Sequence, residues 1–230
     1  MRHLLIALAL FGAAIGAPAT AQNGPTVVEL YTSQGCSSCP PADAMLHDLA
    51  KYDDVIALAL HVDYWDYIGW KDSFGRPENT ARQNAYARAA NATTIYTPQM
   101  VINGLDHVVG SRPIQVMETV QAHANQPNPV EVEVTRRGNR VEITAETRAR
   151  GNYTVQLVRY IPEETVDIRR GENAGRQLTY ANIVTDWDVV DRWDGRDDLE
   201  ISTPVSGDKP IVVIIQQSTN GPIVGAAHLR

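Results

Sequence analysis

The only two cysteines of the chain, Cys36 and Cys39, stand two serines apart, directly after the apolar run "TVVELY" and loop "TSQG" and directly before Pro40-Pro41. A pair this close is joined only across a tight turn. In "ADAMLHDLAK" the residues Ala42, Met45, Leu46 and Leu49 recur at helical spacing, so the turn falls where a strand passes into a helix. Proline has no backbone N–H to donate, and a helix capped by Ser38 would hold both prolines in its first turn at little cost. Two thiols at such a junction leave three readings open: a working redox couple, half of a metal site, or an inert staple.

The compartment bears on that choice. The chain opens "MRHLLIALALFGAAIGAPATAQ", with Arg2 and His3 ahead of an apolar run and Ala19 and Ala21 bracketing Thr20. This is the layout of a secretory leader over residues 1–21, cut after Ala21. The run is too short to span a bilayer, so no stable membrane insertion is expected after cleavage. Residues 22–230 are expected in the periplasm or secreted, where a disulfide persists. The chain carries 27 acidic against 20 basic residues and no basic block offsets them, which argues against nucleic acid as a partner.

From Val55 to Val62 the chain is apolar almost throughout, as in a parallel strand covered on both faces. "NTARQNAYARAANA" reads as a helix capped by Asn79, and "TPQMVINGLDHVVGS" as a hairpin about Asn103-Gly104. Ser111 precedes a third helix with Ile114, Met117 and Val120 on one stripe. Composition changes at about Asn125 to Pro129. Beyond it "VEVEVTR", "NRVEITAETRA" and "YTVQLVRYI" alternate at period two, and Asn220-Gly221 marks another hairpin. The expected organisation is an α/β domain over residues 22–126 and a small all-β, sandwich-like domain over residues 127–230.

Cys36-Ser37-Ser38-Cys39 at the first strand-to-helix junction, with Thr97-Pro98 before a later strand, resembles the thioredoxin superfamily. More narrowly, "YTSQGCSSCPPAD", "HVDYWD", "YTPQMVING", "RGENAGRQLTYANIV" and "GPIVGAAHL" look like the secreted proteins gathered as the DUF1223 family. The resemblance implies a thioredoxin-like fold with a sheet of mixed direction, and a cis bond before Pro98 packed beside the cysteine pair. It also implies a buried acid on the first strand that assists proton transfer at the inner cysteine, a position Glu29 fits if one extra residue is allowed before Cys36. An ion pair for Glu29 is the structural alternative.

On this reading Cys36 attacks a disulfide and Cys39 resolves the adduct. The catalytic candidates are Cys36, Cys39, Pro98 and Glu29. The loop "DYWDYIGWKDSFGRPE" follows the second strand at the carboxyl end of the sheet, where open α/β folds place sites. It makes Trp65 and Trp70, with Thr97, the substrate-binding candidates. Asp63 and Asp66 are weaker polar candidates, Asp43 is expected on the exposed side of its helix, and Trp187 and Trp193 are expected to pack. The polar set Arg169, Arg170, Glu172, Asn173 and Arg176 is a binding surface or an ion-paired loop. The expected partner is a protein or small-molecule disulfide or thiol, with a redox partner protein, and neither a cofactor nor a bound metal is expected. Two thiols make a poor zinc set without a further ligand such as His61, His47 or His107. The alternatives are a non-catalytic thioredoxin-like binding module with a structural disulfide and, behind it, a metal-binding protein.

Overall fold

A computed structural model describes residues 24–218 and 220–230. The expected leader, residues 1–21, lies outside them. The chain runs β1 (Thr26–Thr32), α1 (Pro40–Leu49), β2 (Val55–His61), α2 (Pro77–Ala89), β3 (Gln99–Ile102), β4 (Asp106–Val109) and α3 (Pro113–Ala124), which form the α/β thioredoxin-like part. It continues through β5 (Val130–Arg137), β6 (Arg140–Thr147), β7 (Tyr153–Asp167), β8 (Gln177–Trp193), β9 (Leu199–Pro204), β10 (Ile211–Gln217) and β11 (Ile223–Leu229), the sandwich-like part. Among the described residues no helix is long and apolar enough to cross a membrane.

The two parts share one sheet. Its order is β11-β10-β7-β8-β2-β1-β3-β4, and β8 joins β2 through a single parallel pair, Ala59 opposite Ile183. Within the α/β part β1 runs parallel to β2 and antiparallel to β3. Residues of β1 alternate between two buried faces. Val28 and Leu30 meet Ala42, Leu46 and Leu49 of α1 and Val116 and Val120 of α3. Val27 and Tyr31 point the other way, into a core that takes Tyr86 from α2 and Val158, Val184, Val212 and Ile214 from the β-rich part. A third cluster sets Val141 and Ile143 of β6 against Val155, Leu157, Val213 and Ile215 and makes the sandwich. Each fully buried side chain of this size contributes about 1.5–3 kcal/mol, so the shared core ties the two parts together.

The helix starts differ from expectation. Cys39, not Ser38, occupies the cap position of α1, and Pro40 and Pro41 fill its first two positions. Asn79 sits inside α2, which begins at Pro77, and its side-chain amide donates to the His61 carbonyl at 2.9 Å. No side chain caps α3, whose boundary residue is Arg112 rather than Ser111. Its buried stripe is Val116, Val120 and His123, while Ile114 and Met117 are exposed. His123 takes an inward position because Asp106 accepts from its ring at 2.7 Å. The largest difference is β8, a 17-residue strand. Its polar stretches gave no strand pattern, and Asn182 breaks the local regularity with φ 47°.

Candidate functional site

The strand β1 ends at Thr32, and the loop from Ser33 to Ser38 carries the chain to α1. Cys36 and Cys39 form a disulfide across this turn, with Cα atoms 5.4 Å apart. Backbone bonds from Cys36 N–H to Ser33 O and from Cys39 N–H to Cys36 O fold it tightly. Ser38 Oγ lies 3.4 Å from Cys36 Sγ. Both prolines lack N–H groups, and the N–H groups of Ala42 and Asp43 go to the Cys39 carbonyl. The helix start therefore aims no free donor from residues 40–43 at the sulfur. Cys36 and Cys39 are 1% and 0% exposed, so the attacking sulfur of the exchange reading is covered.

Three segments converge on this turn. The Thr97–Pro98 bond is cis, Pro98 is buried, and Gly110, which approaches both Ala42 of α1 and Pro98, fills the space between them. A Cβ on Gly110 would lie 2.9 Å from the Ala42 Cβ, which is why a side chain is absent there. The aromatic loop supplies the second segment. Trp65 donates from Nε1 to Thr97 Oγ1 at 2.8 Å and lies against Gly35. Trp70 donates to Gln34 Oε1 at 2.8 Å. Tyr67, 81% exposed, stacks beside Trp65 and offers the most open ring of the loop. The third segment is the β7–β8 turn, where the buried Asn173 donates from Nδ2 to the carbonyls of both Gln34 and Cys36 at 3.0 Å. The site thus gathers Cys36, Cys39, Pro98, Thr97, Trp65 and Trp70.

Glu29 lies elsewhere. It shares the inward face of Val27 and Tyr31, away from α1, and Arg82 of α2 engages both of its oxygens at 2.6 and 2.8 Å. Tyr86 and Tyr31 hydroxyls also donate to it, at 2.7 and 3.0 Å. Of the two roles open to Glu29, the geometry takes the ion pair. Asp63 and Asp66 are likewise occupied, by Thr80 Oγ1 at 2.6 Å and by the Asp72 N–H at 3.0 Å.

The acid beside the cysteines is Asp43. It is 6% exposed, not on the outer side of the helix as expected, because α1 turns Ala42, Asp43, Leu46 and Leu49 toward the sheet. Cys39 already has helical dihedrals, so Asp43 follows it by one turn on the same side. Its Oδ1 accepts from Thr32 Oγ1 at 2.7 Å, while its Oδ2 is buried with no partner. Burial pushes the Asp43 carboxyl up to about 7, with the Asp72 charge adding to the rise and Thr32 and His61 opposing it. His61 at the end of β2 is fully buried and shares a hydrogen bond of 2.8 Å with Asp72 through Nδ1. Asp72 also accepts from the Gln34 and Phe74 N–H groups, and although burial works against it, these bonds and the His61 charge hold its carboxyl below the usual range. His61 Nε2 and the Tyr180 hydroxyl are buried without partners, and their rings meet edge to face at 4.8 Å. Burial, then the charges of Asp43 and Asp72, raise the Tyr180 hydroxyl strongly.

A polar cluster of Asp43, His61, Asp72 and Tyr180 therefore lies behind the cysteine loop, joined to it through the Gln34 N–H on Asp72. Its signal in the sequence was faint: a histidine closing an apolar strand and an acid one turn past the second cysteine. His47 pairs with Glu163 and His107 lies by Gln99, and among the described residues no three His, Cys, Asp or Glu side chains gather as a metal set. Trp187 and Trp193 pack, the first against the Arg82 guanidinium and the second beside Tyr153.

The family model described as "Protein of unknown function (DUF1223)" matches residues 27–216. No curated protein matches the chain. A crystal structure of a protein from Agrobacterium tumefaciens is similar at 36% identity and a TM-score of 0.79, over 91% of this chain and 96% of that one. The chain belongs to the DUF1223 family.

Proposed function

We propose that the protein is an exported thiol-disulfide oxidoreductase in which Cys36 exchanges with substrate and Cys39 is the inner, resolving sulfur. The observation that carries this reading is the Cys36–Cys39 disulfide backed by a buried acid, Asp43, one of whose oxygens is unpartnered. A disulfide that only staples a loop has no need of a buried acid held near neutrality. Starting from the disulfide, a substrate thiolate attacks Cys36 Sγ, the bond to Cys39 breaks, and Cys39 leaves as a thiolate that takes the proton of Asp43. A second substrate thiol gives its proton to solvent and attacks its partner sulfur in the mixed disulfide, expelling Cys36. Two substrate thiols have become a disulfide, and the protein disulfide has become a dithiol. In the reverse direction Asp43 accepts the Cys39 proton as Cys39 attacks Cys36.

Trp65, Trp70 and Thr97 form the wall on which a peptide or small thiol lies, with the edge of Pro98 beneath it. Asp72 and His61 position the loop, since Asp72 holds both the His61 ring and the Gln34 N–H. The second reading, a binding module with a structural disulfide, draws on the burial of both cysteines. Exchange of the purified protein with a fluorescent peptide disulfide and dithiothreitol separates them. Turnover that is abolished in Cys36→Ser and reduced about tenfold or more in Asp43→Asn supports the oxidoreductase, and no turnover by the unmodified protein supports the module.

A further inference from the structure

We infer that the β7–β8 turn is a latch over the disulfide and that Asn173 is the positioning residue that holds it shut. This rests on the proposed exchange reaction and adds the step that precedes it. A thiolate must reach Cys36 Sγ along the line of the S–S bond. With Cys36 and Cys39 at 1% and 0% exposure that line is closed, so one of the covering segments moves before any exchange.

The segments differ in how they are fastened. The β1–α1 side is core, with Val28, Leu30, Ala42 and Leu46 buried together. The aromatic loop is tied by Asp72 to Gln34, His61 and Phe74, by Trp65 to Thr97 and by Trp70 to Gln34. The β7–β8 turn is an outlying hairpin tip closed on itself by Ile168 N–H to Arg176 O and Gly175 N–H to Ile168 O. Its hydrogen bonds to the cysteine loop come from one side chain, the Asn173 amide, which spans the Gln34 and Cys36 carbonyls. Arg176 Nη1 donates to Asn173 Oδ1 at 3.0 Å and thereby aims both amide hydrogens at those carbonyls. Gly171 and Gly175, with φ of 77° and 81°, shape the tip, and Gly171 seats against Trp70. Arg169, Arg170, Glu172 and Ala174 around it are exposed, while Ile168 at its base is a buried core side chain, so residues 169–175 lift about an anchor that stays packed.

Because one of the two acceptors is the carbonyl of Cys36 itself, the latch also reads the state of the cysteine turn. Any rearrangement of that turn on reduction changes what Asn173 holds.

The test is the second-order rate at which tris(2-carboxyethyl)phosphine reduces the Cys36–Cys39 bond, followed by iodoacetamide quench and intact mass, in the unmodified protein and in Asn173→Asp, Asn173→Ala and Arg176→Ala. Asn173→Asp replaces the donors with an oxygen that repels both carbonyls. It is expected to react at least about tenfold faster, equivalent to about 1.4 kcal/mol, at a rate insensitive to sub-denaturing urea. Arg176→Ala, which keeps the donors and loses only the brace, is expected to fall between, and it serves as the test if the Asn173 variants do not fold. Rates within about twofold of the unmodified protein in all variants would overturn the latch. So would acceleration that grows with urea in step with global unfolding. The phosphine reports access alone. A fast Asn173→Asp reduction without peptide exchange would sink the oxidoreductase and leave the latch, whereas peptide exchange with unchanged phosphine rates would do the reverse.

Discussion

Arg82 of α2 straddles the carboxylate of Glu29 on β1, with Nε 2.6 Å from one oxygen and Nη2 2.8 Å from the other. The guanidinium lies 3.9 Å above the Trp187 ring and also reaches Gln156 and Gln216, so this pair joins the α/β part to the β-rich part. Burial alone would lower the Arg82 pKa, and Glu29 with Tyr86 raises it instead, which keeps the cation in place. Removing one partner strands the other. Glu29→Gln is expected to lower stability by about 3–5 kcal/mol in urea unfolding. The double variant Glu29→Gln/Arg82→Met should lose less than the two single losses added together. A Glu29→Gln protein of full stability whose cysteine exchange is slowed would mean that Glu29 serves the cysteines after all.

Asp43 gives stability a pH dependence of unusual sign for an acid. Its carboxyl titrates at about 7 in the folded protein, against about 3.9 in an unfolded chain. Below about pH 4 it is protonated in both states. Between about 4 and 7 the unfolded chain has lost the proton while the folded one keeps it, so stability falls as pH rises, by up to about 1.4 kcal/mol per pH unit, and levels above 7. The groups that face it are Thr32, His61, Asp72 and Tyr180. Asp72 acts oppositely and in a lower window: its depressed carboxyl stabilises above about pH 4 and that contribution fades as pH falls. Urea midpoints of Asp43→Asn from pH 4 to 8 should show the decline flattened and the variant at least about 1 kcal/mol more stable at pH 8. An unchanged slope would remove Asp43 as its source.

In the proposed exchange reaction the prolines are expected to lower the redox potential. Pro40 and Pro41 remove two N–H groups that at a helix start stabilise a thiolate, and a less stabilised thiolate leaves the disulfide harder to reduce. The Cys36–Cys39 potential is expected nearer about −270 mV than the roughly −120 mV of strong disulfide oxidants. Pro40→Ala/Pro41→Ala should raise it by about 30 mV. A potential above about −180 mV in the unmodified protein would contradict this account.

In the proposed reaction the substrate lies on the tryptophan wall. Trp65→Phe keeps the apolar face but deletes the bond to Thr97 Oγ1, and should raise KM several-fold while kcat changes little. Trp65→Ala should raise KM about tenfold. Equal falls in kcat with KM unchanged would move Trp65 from binding to chemistry.

Much of the α/β part was legible because its pattern is local. "VIALALHV" became β2 over Val55–His61, and Asn103-Gly104 became a turn with φ of 46° and 69°. What escaped was non-local. Asp43 reads as a surface acid on a helix until Thr32, His61 and Tyr180 are brought in from three separate strands. The joining of β8 to β2 rests on one pair 124 positions apart, Ala59 and Ile183, which leaves no periodic trace. Asn173 reads as a turn residue, and only the fold gives it the carbonyls of Gln34 and Cys36. Asp43 and Asn173 are buried polar side chains whose partners lie elsewhere in the sequence, and hydrophobic periodicity carries no information about them.

The most direct measurement is intact mass of the Cys39→Ser protein after incubation with an oxidised peptide disulfide, with the Asn173→Asp/Cys39→Ser double variant alongside. The account predicts a peptide adduct on Cys36 that reductant releases, formed faster in the double variant, and none on Cys36→Ser. No adduct in either Cys39→Ser protein, with Cys36→Ser and Cys39→Ser losing stability equally, would show that the disulfide is a staple and not a working pair.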